Sequence, residues 1–225
     1  MMSLRDTYMS VVGALLWLAA CTRPDITTAV SILARFVSNP ARVHYHAMQR
    51  VLSYLHSTSD MPLMLKPTKN AGVCVYADAS WSEKFSTSGA LVYVCGCPVL
   101  WYSRLQRTVS HSSAEAEYIS ASLAAREGTH IRHVTLDMNA LLAGPSPLYL
   151  DSRSAIDMSF DPVAFKKTKH IMRDSNYLRD LVSREVFRPE FVPSEHQLAD
   201  ILTKPLPRVI FMHIRDEIFL KLSAK

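Results

Sequence analysis

The sequence has no apolar run long enough to span a bilayer, no CxxC pair, no internal repeat and no low-complexity tract. Val11–Cys21 is apolar, but it falls well short of the ~20 residues a membrane helix needs. It is not preceded by a basic start or followed by a small-residue cleavage site, so it does not read as a signal peptide. Cysteine is sparse: Cys21, Cys74, Cys95 and Cys97 are the four. A chain of 225 residues needs no disulfides to bury a core. Cys74 and Cys95 lie in apolar runs and read as small core residues. Cys95 and Cys97 are two apart and lack zinc-site spacing. These absences exclude a membrane-spanning protein, a disulfide scaffold and a structural zinc module, and they fit a reducing compartment. What is present is an ordinary globular mix, 48% apolar and 20% charged, with a formal net charge of +5. A modest positive excess suits a partner made of phosphates.

The patterning changes near residues 58–70. Before it, the chain is helical. Tyr8–Cys21 runs without turn residues, Thr22-Arg23-Pro24-Asp25 breaks it, and Pro24 suits a first helical position. Ile26, Ala29, Val30, Ile32, Leu33 and Phe36 recur at helical spacing, and Asn39-Pro40 ends that segment. Val43–His56 forms a third helix with Met48, Val51, Leu52 and Leu55 on one face. Ser57–Lys69 is polar, proline-bearing and loop-like. Strands and helices follow. Val73–Ala77 is a short strand leading to Asp78, and Ala90–Val94 and Val99–Ser103 form a hairpin across Cys95-Gly96-Cys97-Pro98. Ser113 to about Leu142 is helical, with an interruption expected near Gly128. Leu148–Leu150 is a strand leading to Asp151 and a short helix. Lys169–Val182 is helical, Val186–Val192 a strand, and Gln197–Thr203 and Arg208–Leu220 helices. This order predicts an α/β domain with a mixed sheet and an N-terminal helical segment.

Four acids stand where such a fold exposes side chains at one edge. Asp78 and Asp151 close strands, the usual place for sites in open α/β sheets. Glu117 and Asp200 lie in helices. Each also has an ordinary structural role open to it: Asp78 as a turn residue, Asp151-Ser152 as a helix cap, Asp200 as a surface acid near a helix start. In Ser112-Ser113-Ala114-Glu115-Ala116-Glu117, Ser112 and Glu115 have capping-box spacing, so helix initiation accounts for Glu115. Glu117 has no such account. Its helical neighbours Ser113, Ala114, Ser120 and Ala121 are small, which lets the helix approach a sheet and aim a carboxylate across it. Four converging carboxylates would repel one another and raise their own pKa values, a conflict that divalent cations remove. Hard oxygen ligands select magnesium or manganese over zinc, and a pair of such ions suits phosphodiester hydrolysis.

The runs Tyr76-Ala77-Asp78-Ala79-Ser80-Trp81, Ser86-Thr87-Ser88-Gly89 and Ser112-Ser113-Ala114-Glu115-Ala116-Glu117-Tyr118 resemble the ribonuclease H domain of copia-type retrotransposon polyproteins. So do Asp151-Ser152-Arg153-Ser154-Ala155-Ile156, Thr168-Lys169-His170-Ile171, and Leu198-Ala199-Asp200-Ile201-Leu202-Thr203-Lys204. Val12-Gly13-Ala14-Leu15-Leu16-Trp17-Leu18 with Thr22-Arg23-Pro24-Asp25-Ile26 is similar to the segment that links reverse transcriptase to ribonuclease H in these elements. The Tyr-x-Asp-Asp motif of the polymerase palm is missing. The resemblance implies a ribonuclease H-like mixed five-stranded sheet flanked by helices, over residues 70–205. A helical thumb or connection remnant would occupy residues 1–65 and a helical tail residues 206–225.

It further implies an endonuclease that hydrolyses the RNA strand of RNA–DNA hybrids with two magnesium or manganese ions. Asp78 and Asp151 would be the central ligands, Glu117 the helix ligand and Asp200 the fourth. The setting implied is the cytoplasm, within a virus-like particle, or the nucleus, without secretion. Partners implied are the hybrid and the upstream reverse-transcriptase domains of the same polyprotein. Four departures from the family pattern stand out: Ser80 replaces a common second acid that is not a core ligand, Trp81–Ser86 is short, Met172 follows Ile171 where an acid is usual, and the Val192–Asp200 link leaves little room for a histidine-bearing loop; the altered or missing pieces bear on rate. For the substrate, Lys166, Lys167, Lys169, His170 and Arg173 form the densest basic cluster, with a solvated helix start as the competing account. Arg104 and Arg107 are weaker candidates. Ser86, Thr87 and Ser88 either bond nucleic-acid backbone or make a turn. Trp81 and Trp101 either stack on the substrate or lie in the core, with the core favoured. Two other outcomes are a catalytically inactive retrotransposon relic that binds nucleic acid, and a transposase- or integrase-type nuclease acting on duplex DNA.

Overall fold

The structure is a computed structural model that describes residues 4–68, 72–140, 142, 144–160 and 172–220. Three helices come first: α1 (Leu4–Cys21), α2 (Thr27–Ala34) and α3 (Arg42–Ser57). Pro24 opens a short 3-10 turn before α2, where its missing N–H costs nothing. Tyr8, Val12, Leu15, Ala19, Ile26, Val30, Leu33 and Met48 pack together as the core of this helical layer. Arg23 and Asp25 form a buried ion pair at 2.7 Å. The Tyr54 hydroxyl donates to Asp25 and the Arg23 guanidinium to Thr58, so the pair leaves no charge stranded.

The sheet follows: β1 (Val73–Ser80), β2 (Thr87–Val94), β3 (Cys97–Leu105), β4 (Ser146–Leu150) and β5 (Phe187–Phe191), in spatial order β3-β2-β1-β4-β5. β1, β2 and β3 are antiparallel neighbours, and β4 and β5 run parallel to β1. Between β2 and β3 the chain turns on Cys95 and Gly96, both at positive φ (49° and 79°), as a two-residue hairpin loop requires. Cys95 is therefore a turn residue, because the tight reversal outweighs its apolar neighbours. Pro98 and Pro189 lie on the two edge strands, where a missing N–H interrupts no ladder.

One face of the sheet is covered by α4 (Ser113–Asp137), α5 (Arg153–Phe160) and α6 (Met172–Ser183). Val73, Val75, Ala77, Ala90 and Val92 point to this side and meet Tyr118, Ile119, Ala121, Ala124 and Ala125 of α4. The alternate residues Leu91 and Tyr93 point the other way, onto α7 (Arg208–Leu220) and a 3-10 turn at Leu198–Leu202. The mixed five-stranded sheet with helices on both sides is the α/β architecture that the sequence predicts. α4 is continuous where an interruption near Gly128 was expected. A Cβ there would lie 2.8 Å from both Phe187 Cζ and Val75 Cγ2, so Gly128 serves close helix–sheet packing, not a break. The expected helix over Gln197–Thr203 is the tighter 3-10 turn. The first strand also extends past Ala77, so that Asp78 sits inside β1.

Candidate active site

Adjacent parallel strands bring Asp78 of β1 and Asp151, the residue after β4, to the same sheet edge. Asp78 faces the α7 side. Glu117 comes from α4 on the opposite face. The approach depends on small residues: Ser120 is fully buried, and its hydroxyl donates to the Asp78 backbone carbonyl at 2.6 Å. Ser112 caps α4 by accepting from the Glu115 N–H at 3.2 Å, and Glu115 accepts from the His111 N–H at 2.9 Å. Glu115 is thus consumed by helix initiation, and Glu117 is left to reach across. Asp78, Glu117 and Asp151 each offer a carboxylate oxygen, and the three lie within 4.8 Å of one another.

Each carboxylate is held in place. Thr203 Oγ1 donates to Asp78 Oδ2. The Ala79 N–H donates to Glu117 Oε2 at 3.1 Å, and Ser194 Oγ donates to Asp151 Oδ2 at 3.0 Å. Asp200 is outside this triad but next to it, on the Leu198–Leu202 turn. Lys204 ties the two together, with Nζ 2.8 Å from Asp200 Oδ1 and 3.9 Å from Asp78 Oδ2. The turn rests on Gln197, fully buried, whose Nε2 donates to the Ala77 carbonyl at 3.0 Å. It also rests on Gly89, where an added Cβ would lie 2.6 Å from Thr203 Cγ2.

Electrostatically the site carries more negative groups than it can balance. Burial pushes the Asp78 carboxyl up to about 7; Asp200 adds to the rise, and Lys204 and Thr203 oppose it. Glu117 is pushed up to about 10, first by burial and then by Asp78 and Asp151. One ammonium cannot neutralise this set. Acids with such raised values, gathered in one place and offering only oxygen, fit hard divalent cations.

The other residues singled out from sequence fall in different places. Ser86 and Ser88 are fully buried: Ser86 Oγ accepts from the Ser82 N–H at 3.2 Å and Ser88 Oγ accepts from Gln106 Nε2 at 2.9 Å. Thr87 Oγ1 accepts from Arg35 at 3.5 Å. These hydroxyls secure the strand edge instead of facing solvent. Arg104 pairs with Glu127 at 2.8 Å and lies over the Tyr102 ring. Trp81 is 46% exposed, so it is not a core residue. Trp101 is partly buried between the sheet and the helical layer, its Nε1 donating to the Ala19 carbonyl at 2.7 Å. Lys166, Lys167, Lys169 and His170 lie outside the described residues, as does the side chain of Arg173. Sequence reasoning passed over Thr203, Lys204 and Gln197. The four-residue spacing from Asp200 to Lys204 was the one signal available.

The chain is 35% identical over 215 residues, 94% of its length, to the retrovirus-related Pol polyprotein from transposon RE2 of Arabidopsis thaliana. It belongs to the copia-type retrotransposon Pol polyproteins. This copia-type chain spans 15% of the RE2 polyprotein's length. It is also 42% identical over 124 residues to the secreted RxLR effector protein 161 of Plasmopara viticola, covering 53% of this chain and 87% of that protein. Among solved structures, it is similar to an N-terminal ribonuclease H domain from Mycobacterium tuberculosis. That likeness has a TM-score of 0.41 and 17% identity, over 65% of this chain and 98% of the other. No protein-family model matches the chain. No helix among the described residues of this Pol segment is long and apolar enough to cross a membrane.

Proposed function

We propose that this Pol segment is a ribonuclease H that hydrolyses the RNA strand of RNA–DNA hybrids, with Asp78, Glu117, Asp151 and Asp200 as the acidic centre. The observation that carries the reading is the convergence of three carboxylates from β1, α4 and the end of β4 within 4.8 Å. Asp78, Glu117 and Asp151 would hold one magnesium or manganese ion, and Asp78 with Asp200 a second. Such a pair of ions supplies charge stabilisation for the attacking and leaving oxygens of a phosphodiester. The chain's own part is preorganisation. Thr203, the Ala79 N–H and Ser194 fix the three carboxylates before any ligand arrives, so little reorganisation remains for the reaction. Lys204, 40% exposed, keeps a positive charge at the rim where a phosphate would approach.

Recognition of the hybrid would rest on phosphate contacts and groove shape, with 2′-hydroxyls distinguishing RNA from DNA. The basic cluster at Lys166, Lys167, Lys169 and His170 is the proposed phosphate contact. A labelled RNA–DNA hybrid with magnesium tests the assignment. The wild-type chain is expected to cut the RNA strand, and Asp78→Asn and Asp151→Asn to abolish cutting while circular dichroism stays unchanged. Undiminished cutting by both variants refutes the assignment. Binding without cutting by the wild-type chain identifies an inactive relic, and cutting of duplex DNA a transposase-type nuclease.

A further inference from the structure

We infer that the N-terminal helical layer is a working part of this centre, with Thr28 as a positioning residue for the turn that carries Asp200. The inference rests on the nuclease reading above. Thr28 of α2 is 7% exposed, and its hydroxyl donates to the Ile201 backbone carbonyl at 2.7 Å, across 173 positions of sequence. The last carbonyls of a helical turn have no partner within it. Here the Asp200 carbonyl is met by the N–H groups of Thr203 and Lys204, at 3.2 and 3.4 Å. The next carbonyl, that of Ile201, is met by Thr28. Ile201 is itself 2% exposed, so this carbonyl lies in a setting where an unpaired polar group is costly.

α2 is able to act as a brace because it is fastened to the sheet. Ser31 Oγ donates to the Ser103 carbonyl at 3.1 Å, and Arg35 reaches Thr87 at 3.5 Å. The Asp200 turn is therefore gripped from two sides: by Gln197 and Gly89 from the sheet, and by Thr28 from the helical layer. The other three acids stand on β1, α4 and the end of β4; of these Asp78 touches the turn, through Thr203 and Lys204, and strand pairing with Gly89 sets its place on β1. A loosened Thr28 contact should then shift Asp200 relative to Asp78 and spare the triad.

The test uses the intact chain with Thr28→Val, Thr28→Cys and Thr28→Ser, read by manganese titration calorimetry and by kcat and KM on an RNA–DNA hybrid. The manganese step lost in Asp200→Asn identifies the Asp200 site. Thr28→Val is expected to weaken that step and lower kcat, each by roughly tenfold, the lower end of what losing a direct partner of a metal ligand costs, because Thr28 acts one residue removed, through the Ile201 carbonyl. KM and the remaining manganese step should hold. Thr28→Ser should restore both quantities, and Thr28→Cys, a weak donor of similar volume, should fall between. Unchanged manganese steps in a merely less stable Thr28→Val chain overturn the inference. So does equal weakening of both steps, or a Thr28→Ser chain that behaves like Thr28→Val. A wild-type chain that takes up no manganese sinks the nuclease reading itself, a result distinct from any of these.

Discussion

Asp78 and Glu117 show how a single side chain connects stability to function. Both are acids whose folded values, about 7 and about 10, lie above their ordinary values of 3.8 and 4.5. The folded chain thus favours their protonated forms. Their contribution to stability is complete below the ordinary carboxylate range. It is lost as pH rises, through about 7 for Asp78 and on toward about 10 for Glu117. In EDTA, the Tm should fall between about pH 5 and about pH 8, and Asp78→Asn should flatten the lower part of that fall. Magnesium binds only the ionised forms, so the gap in Tm between magnesium and EDTA should widen as pH rises; a constant gap would contradict a metal centre here. Lys204 makes the complementary prediction. It is the ammonium against Asp200 and Asp78, so Lys204→Met should strengthen manganese binding by roughly tenfold or more in calorimetry. Weaker binding would mean that Lys204 chiefly holds Asp200 in place.

At the scale of elements, α4 is the part on which the site depends most. Its N-terminus was legible in Ser112-x-x-Glu115, and the assignment of Glu117 as the acid left over follows from that cap. Ser112→Ala should cost about 1 kcal/mol in urea denaturation by freeing an N-terminal N–H. Its middle was misread, because an isolated glycine in a helical pattern signals either a break or a close approach, and only the neighbour decides. Here the neighbours are Phe187 and Val75, so Gly128→Ala should destabilise the chain by ~1–3 kcal/mol through overpacking. An α4 with a true break at Gly128 would instead be stabilised by alanine. The Asp200 turn was expected to be a helix, and Leu198, Ile201 and Leu202 do have helical spacing. Three apolar residues over five positions fit a 3-10 turn equally well, and packing under α2 and α7 selects the tighter form.

The whole molecule is a helical layer and a sheet domain joined by side chains that read as local when taken one at a time. Trp101 bonds to Ala19, Thr28 to Ile201 and Ser31 to Ser103. The outer surface of α1 keeps Leu4, Met9, Leu16 and Trp17 exposed, at 77, 51, 43 and 70%. A patch of this kind promotes association. The chain should self-associate at concentrations on the order of micromolar in sedimentation velocity, and Leu16→Lys with Trp17→Lys should reduce this without lowering the Tm. A monomer at every concentration would count against the patch.

By itself the sequence determined the α/β order, the helical start and the hairpin, and it singled out four acids as candidates. Those features depend on periodicity, turn chemistry and residue type, which act over a few neighbours. Tertiary structure alone decided which acids meet, that Asp200 stands beside the triad with Lys204 between, and that Ser86 and Ser88 are internal. Those outcomes depend on strand order and on close approaches at Gly89, Gly128 and Ser120, where segments far apart in the chain compete for the same few ångströms.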